Sequence, residues 1–212
     1  MGGHYPVVDL EFETSAPLSV VLRAWAPFLP GDVVGSMLPG MVFEVRLRNR
    51  TEQTQSGTIA LSFAGPHEKE AGGNQCTRES VKAGAFQGLM VTTPLASYAL
   101  GVAGREQLRL GGELGASGNN WAQIDRVLPA AQAGQSGSSV AVDFALTPRA
   151  RKVVRFILAW HAPTWNAGGY NWAGAKHTFT HMYAAHYPSA LAAAKKLAQD
   201  HERLLRRILA WQ

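Results

Sequence analysis

The chain has 212 residues, 46% of them hydrophobic and only 17% charged, with 22 Gly, 11 Pro and a formal net charge of +5. A chain this long can bury about 70% of its unfolded surface without disulfide or metal staples. That composition excludes a disordered chain and a coiled coil, and no apolar run approaches the roughly 20 residues needed to span a bilayer.

The N-terminus lacks the basic-then-apolar layout of a secretory leader, so the expectation is a cytoplasmic protein. The single cysteine, Cys76, lies in a polar, Gly-rich stretch and reads as a bystander thiol. Residues 1–143 carry 10 basic and 13 acidic side chains, a balance of −3, whereas residues 144–212 carry 10 basic side chains and only Asp200 and Glu202, a balance of +8. These cations are spread along a strand-like run and a helix with no Lys/Arg block longer than two, which argues against a nucleic-acid partner.

In chain order, Val8 to Glu13 alternates, with Val8, Leu10 and Phe12 on one face and three acids on the other, the pattern of a half-buried strand. Leu18 to Trp25 reads as a second strand, and Pro27, Pro30, Gly31 and Asp32 enforce a loop. Met41 to Arg48 and Thr58 to Phe63 read as a hairpin with Phe43, Val45, Leu47, Ile59, Leu61 and Phe63 inward. A long polar loop is expected over 65–80. Short strands follow at Gln87 to Thr92, Ser97 to Val102 and Gln107 to Leu110, then at Val140 to Leu146 and Val153 to Trp160, while the interval from Trp121 to Leu128 is ambiguous. Eight to ten short strands predict a mainly β domain, a β-sandwich or supersandwich. Ser189 is a natural N-cap for a helix over Ala190 to Trp211, with Leu191, Ala194, Ala198, Leu205, Ile208 and Leu209 near one face.

The fifteen acids offer no paired-carboxylate spacing of the kind glycoside chemistry uses. Asp9, Glu11, Glu13 and Glu44 fall on the polar phase of strands and are expected to be solvated; Glu68, Glu70, Glu79 and Glu113 fall in loops. His161, His177, His181 and His186 cluster with Trp160, Trp165, Tyr170, Trp172, Phe179, Tyr183 and Tyr187. His177 and His181 are four apart, but 176–187 holds no Asp, Glu or Cys to complete a zinc shell, so no metal is assigned. Rings with hydrogen-bonding tips are what a sugar site uses, and ordinary loop packing would use them too. Neither a G-x-S-x-G nucleophile turn nor a phosphate loop is present, and no cofactor is expected.

Ala24 to Asp32, then Ser36-Met37-Leu38-Pro39, then Met41 to Asn49, read together, resemble the N-terminal domain of glycoside hydrolase family 116, the bile-acid β-glucosidase or non-lysosomal glucosylceramidase family. Arg155 to Pro163 is similar to that family's late strand, Lys176 to Ala185 to its aromatic loop, and Ile208-Leu209-Ala210-Trp211-Gln212 to its connector helix. His161 departs from the family's frequent Asp, and the His177 to His186 stretch departs from its Tyr/Arg-rich wording. The resemblance implies a β-sandwich over 1–187 and a connector helix over 188–212 leading towards an (α/α)6 catalytic domain, in cis or in trans. By the same resemblance that domain carries the nucleophile Glu and acid/base Asp of a retaining β-glucosidase and meets the glucoside or glucosylceramide-like substrate. No position here matches those two carboxylates, so this chain alone is expected to be inactive.

Three expectations follow from these readings. Trp165, Tyr170, Trp172, His177 and His181 are candidates for the rim of a sugar cleft. Leu205, Ile208, Leu209 and Trp211 are candidates for an interface, because no later chain covers them, so the isolated chain is expected to self-associate. The alternative role is a free-standing carbohydrate-binding or protein-interaction module.

Overall fold

The computed structural model describes residues 2–166 and 178–212. Its strands are β1 (Gly2–His4), β2 (Val7–Phe12), β3 (Leu18–Trp25), β4 (Gly40–Asn49), β5 (Gln55–Phe63), β6 (Thr77–Ala83) and β7 (Phe86–Thr92). They continue with β8 (Ser97–Ala103), β9 (Leu108–Gly112), β10 (Ser138–Leu146), β11 (Arg151–His161), β12 (Thr164–Asn166) and β13 (Thr178–Thr180). Short helices α1 (Val33–Ser36), α2 (Glu68–Ala71) and α3 (Gly118–Ala122) sit in loops, and α4 (Ala190–Trp211) closes the order.

Sheet A runs β1-β2-β3-β4-β11-β8-β7-β6, and sheet B runs β5-β10-β9. The two pack as a β-sandwich. Leu89, Val91, Leu100, Val102, Val154 and Phe156 of sheet A meet Val140 and Val142 of sheet B in one buried cluster. Alternation explains the second core. Val42, Ile157, Ala159 and Trp25 point from the opposite face of sheet A, where they are covered by Ala190, Ala193, Ala194, Leu197, Ala198, Leu204 and Ile208 of α4. That spacing is the buried stripe of an amphipathic helix, and the Ser189 hydroxyl caps it by accepting from the Ala192 amide at 3.1 Å. Small residues let α4 approach closely: a Cβ at Gly40 would lie 2.5 Å from Leu197 Cδ1.

Three expectations are corrected here. The strands holding Phe43 and Phe63 are not hairpin partners: β4 lies in sheet A and β5 pairs with β10 in sheet B, so their inward residues meet across the sandwich. Residues 77–80, expected at the end of the 65–80 loop, instead open β6, because an edge strand can form without an apolar run. Glu44 is not solvated: α4 covers its face of sheet A, leaving the residue 4% exposed.

Burial requires partners for such a charge. Glu44 Oε1 accepts from Arg46 Nε at 2.7 Å, and Glu44 Oε2 accepts from Arg155 Nε at 2.8 Å. The basic last third of the chain is answered in the same way elsewhere. Arg149 pairs with Glu52, Lys152 with Glu106 and Arg207 with Asp32, so cations of residues 144–212 find acids contributed by the earlier chain.

Candidate functional site

Pro163 has no amide hydrogen, so the chain leaves sheet A after His161. It continues as β12, which pairs antiparallel with β13 through Thr164↔Thr180, Trp165↔Phe179 and Asn166↔Thr178. The Trp165 and Phe179 rings sit 5.6 Å apart, and Trp165 remains 53% exposed. Just after β13, the His181 amide donates to the Pro163 carbonyl at 2.8 Å, and the His181 ring stacks on Tyr183 at 5.6 Å. The Tyr183 hydroxyl accepts from the Ala162 amide at 2.7 Å, tying the two arms of the ribbon together. Burial raises the Tyr183 phenol above its ordinary value and lowers the His161 imidazole, so both are neutral near pH 7.

Trp165 and His181 therefore face one groove of about 680 Å³ at the end of the sandwich. Its other walls are Trp160 from β11, Phe63 from β5, Ser97 and Tyr98 from β8, Leu95 before it, and Lys69 and Glu70 from α2. Tyr98 is buried and donates its hydroxyl to the Ser136 carbonyl, and burial pushes its phenol up to about 12. This groove matches what a saccharide requires: flat apolar ring faces for C–H surfaces and a few polar groups for hydroxyls. Of the five rim candidates, Trp165 and His181 are brought together here; Tyr170, Trp172 and His177 lie outside the described residues. The reading of the sequence missed Lys69 and Glu70. Their signal was the capping box of α2, in which the His67 side chain accepts from a backbone amide while the Glu70 carboxylate accepts from the His67 amide at 3.0 Å.

All fifteen carboxylates of the chain fall within the described residues, and Glu70 alone of them lines this groove. A neighbouring pocket of about 270 Å³ is lined by Glu68 and Glu113 with Cys76, and both carboxylates are exposed. Both stand open to solvent and not in an enclosed cleft of the kind a paired-carboxylate site occupies. Among the described residues no three His, Cys, Asp or Glu side chains converge as a metal site would require.

The family described as "beta-glucosidase 2, glycosyl-hydrolase family 116 N-term" matches residues 1–205. The chain belongs to this family of glycoside hydrolase N-terminal domains. A solved structure named "Putative kojibiose phosphorylase from human microbiome" is similar with a TM-score of 0.41 at 10% identity, over 73% of this chain and 18% of that one. This family member thus spans under a fifth of that solved chain's length. No curated protein matches it. Among the described residues no helix is long and apolar enough to cross a membrane.

The interface candidates divide. Ile208 is fully buried against the protein's own sheet, and Leu205 packs partly against the same core. The expectation that Ile208 lacks cover is corrected: it is fully buried in the cluster that also holds Leu29 and Leu38 of the loop before β4 and Val42 and Ile157 of sheet A. Leu209 and Trp211 are 42% and 54% exposed, although the Trp211 ring meets Phe28 edge-on at 5.8 Å.

Proposed function

We propose that this chain is the non-catalytic β-sandwich of a glycoside hydrolase, bracing a separate (α/α)6 catalytic domain and lending its aromatic groove to the rim of that domain's sugar cleft. Family membership supports the domain assignment. The observation that carries the rim role is the groove in which Trp160, Trp165 and His181 converge with a single carboxylate, an arrangement suited to stacking on a sugar and not to cleaving it. The exposed side of α4, with Leu209 and Trp211, is offered as the bracing surface, and a glucoside or glucosylceramide-like substrate would reach the groove through the catalytic domain.

The test joins the chain to a family 116 catalytic domain and compares Trp165→Ala and His181→Ala with wild type. Both residues are exposed, so a rise in KM with an unchanged melting temperature is expected. Unchanged kinetics would remove the rim role. The same groove also favours a second reading, a free-standing carbohydrate-binding module. That reading predicts quenching of tryptophan fluorescence by glucosides with the isolated chain, whereas the accessory reading needs the catalytic domain for binding.

A further inference from the structure

On the face of sheet A that α4 covers, Glu44 is buried beside its cross-strand partner Arg155. Two residues further along each strand the same face opens: Val153 is 38% exposed and the Arg46 side chain 42%. After another two residues, Ser19, Arg48 and Arg151 stand in one cross-strand row on β3, β4 and β11. Arg48 and Arg151 are direct partners in register and both are exposed, so their side chains leave the sheet side by side. Like charges placed directly opposite each other destabilise a sheet.

Among the described residues no carboxylate answers this pair. The neighbouring acids are engaged elsewhere: Glu44 holds Arg46 and Arg155, Glu52 holds Arg149, and Asp9 holds Arg23. Glu11 and Glu13, on and just after β2, form no ion pair with either arginine. A third guanidinium joins the row, because Arg50 donates to the Ser19 hydroxyl at 3.0 Å. Ser19, Arg46, Arg48 and Arg151 line a pocket of about 360 Å³, with Val21 and Val153 between them. That volume lies at the small end of the range that small-molecule sites occupy.

We propose that this pocket binds the phosphate group of a small phosphomonoester, with Arg48 and Arg151 as the principal ligands of the phosphate. Such a group carries close to two negative charges near pH 7 and three strong acceptor oxygens. That is enough to engage both guanidinium forks and the Ser19 hydroxyl together, whose own hydrogen remains for donation while its oxygen accepts from Arg50. A carboxylate has two oxygens, which a single fork satisfies, and would leave the second arginine unanswered. Val21 and Val153 offer an apolar floor for the C–H surface of the esterified alcohol. The bound anion would turn the repulsion between Arg48 and Arg151 into attraction, and the strand register holds both in place before it arrives. The pocket lies nine residues along β11 from Trp160, about 30 Å at strand rise, so it is separate from the aromatic groove and does not rest on the glycosidase reading.

The probe is glucose 6-phosphate, titrated into the full chain at constant ionic strength and followed by calorimetry and by thermal melting. Saturable binding is expected with a Kd on the order of 1 mM or tighter, together with a melting temperature raised by about 2–4 °C near saturation. Inorganic phosphate should compete for the same site more weakly. Arg48→Gln and Arg151→Gln should each weaken binding about tenfold or more, whereas Lys195→Gln, which removes the same charge from the exposed side of α4, should leave it unchanged. Without ligand, Arg48→Gln should melt no lower than wild type, because it removes a like-charge contact and leaves a folded protein in which the loss of binding can be read. Five results would overturn the proposal: no saturation by about 10 mM ester, glucuronate binding as tightly as the ester, undiminished affinity in both glutamine variants, an equal loss in Lys195→Gln, or binding to phosphatidate vesicles without binding of the soluble ester.

Discussion

Replacing Glu44 with glutamine removes the charge that holds two arginines under α4 while keeping the side-chain shape. The carboxylate binds Arg46 through one oxygen and Arg155 through the other, and its side chain is only 6% exposed. Glutamine retains one acceptor and turns an NH2 group towards the other guanidinium, so one of the two charge-assisted contacts is lost outright and the other weakened. Each such contact is worth about 1.5–3 kcal/mol net. The Arg46 and Arg155 side chains are 42% and 29% exposed, so their heads can recover some hydration, and the loss should fall near 2–3 kcal/mol. For a domain of this size that corresponds to a fall in melting temperature of roughly 5–10 °C. Burial by itself pushes the Glu44 carboxyl up, but the hydrogen bonds and charges of Arg46 and Arg155 outweigh it and hold the group below its ordinary value. A depressed carboxyl contributes stability that is present above the unfolded value of about 4.3 and is lost as pH falls through the lower folded value. Thermal unfolding of wild type and Glu44→Gln from about pH 7 down to about pH 3 should therefore show a full gap at neutrality that closes at the acid end. Asp9, Asp32, Asp143 and Asp200 are shared by both proteins and cancel in the comparison. Equal melting temperatures at neutral pH, or a gap that stays constant with pH, would refute the buried-network account.

Ile208→Asp should unfold or severely destabilise the chain, because it places a charge in a fully buried site, whereas Leu209→Asp one residue later should leave melting within about 0.5 kcal/mol of wild type. Gly40→Ala should cost about 1–3 kcal/mol in denaturant unfolding, since its Cβ would meet Leu197 Cδ1 at 2.5 Å and the Leu158 carbonyl at 2.9 Å. Trp165→Ala in the isolated chain should shift the melting temperature little, because the ring is about half exposed and rests on Phe179 alone among the rings described.

The comparison of sequence with structure separates local information from long-range information. The span of β3 and the extent of α4 with its Ser189 cap were legible because apolar spacing and a capping hydroxyl act within a few residues. Strand partners were not. Alternation in β4 and β5 correctly identified which side chains turn inward, yet it is silent on whether two inward faces share a sheet or oppose each other. Glu44 reads as solvated because the helix that buries it comes some 150 residues later, and its partner Arg155 is separated from it by 111 positions. Val8, Leu10 and Phe12 read as core because the pattern cannot show that sheet B is too narrow to reach them. At the groove, aromatic density marked Trp165 and His181. The β12–β13 pairing that juxtaposes them, and the α2 turn that adds Lys69 and Glu70, depend on contacts between distant segments.

The central claim, that this sandwich serves a glycoside hydrolase without performing its chemistry, is tested most directly by release of the aryl group from an aryl β-glucoside by the purified 212-residue chain. The account predicts no turnover above buffer, since the 680 Å³ groove presents one carboxylate and the exposed Glu68 and Glu113 of the smaller pocket lack the environment of an acid/base pair. Turnover that Glu68→Gln, Glu113→Gln or any other single Asp or Glu substitution in this chain abolishes would contradict it.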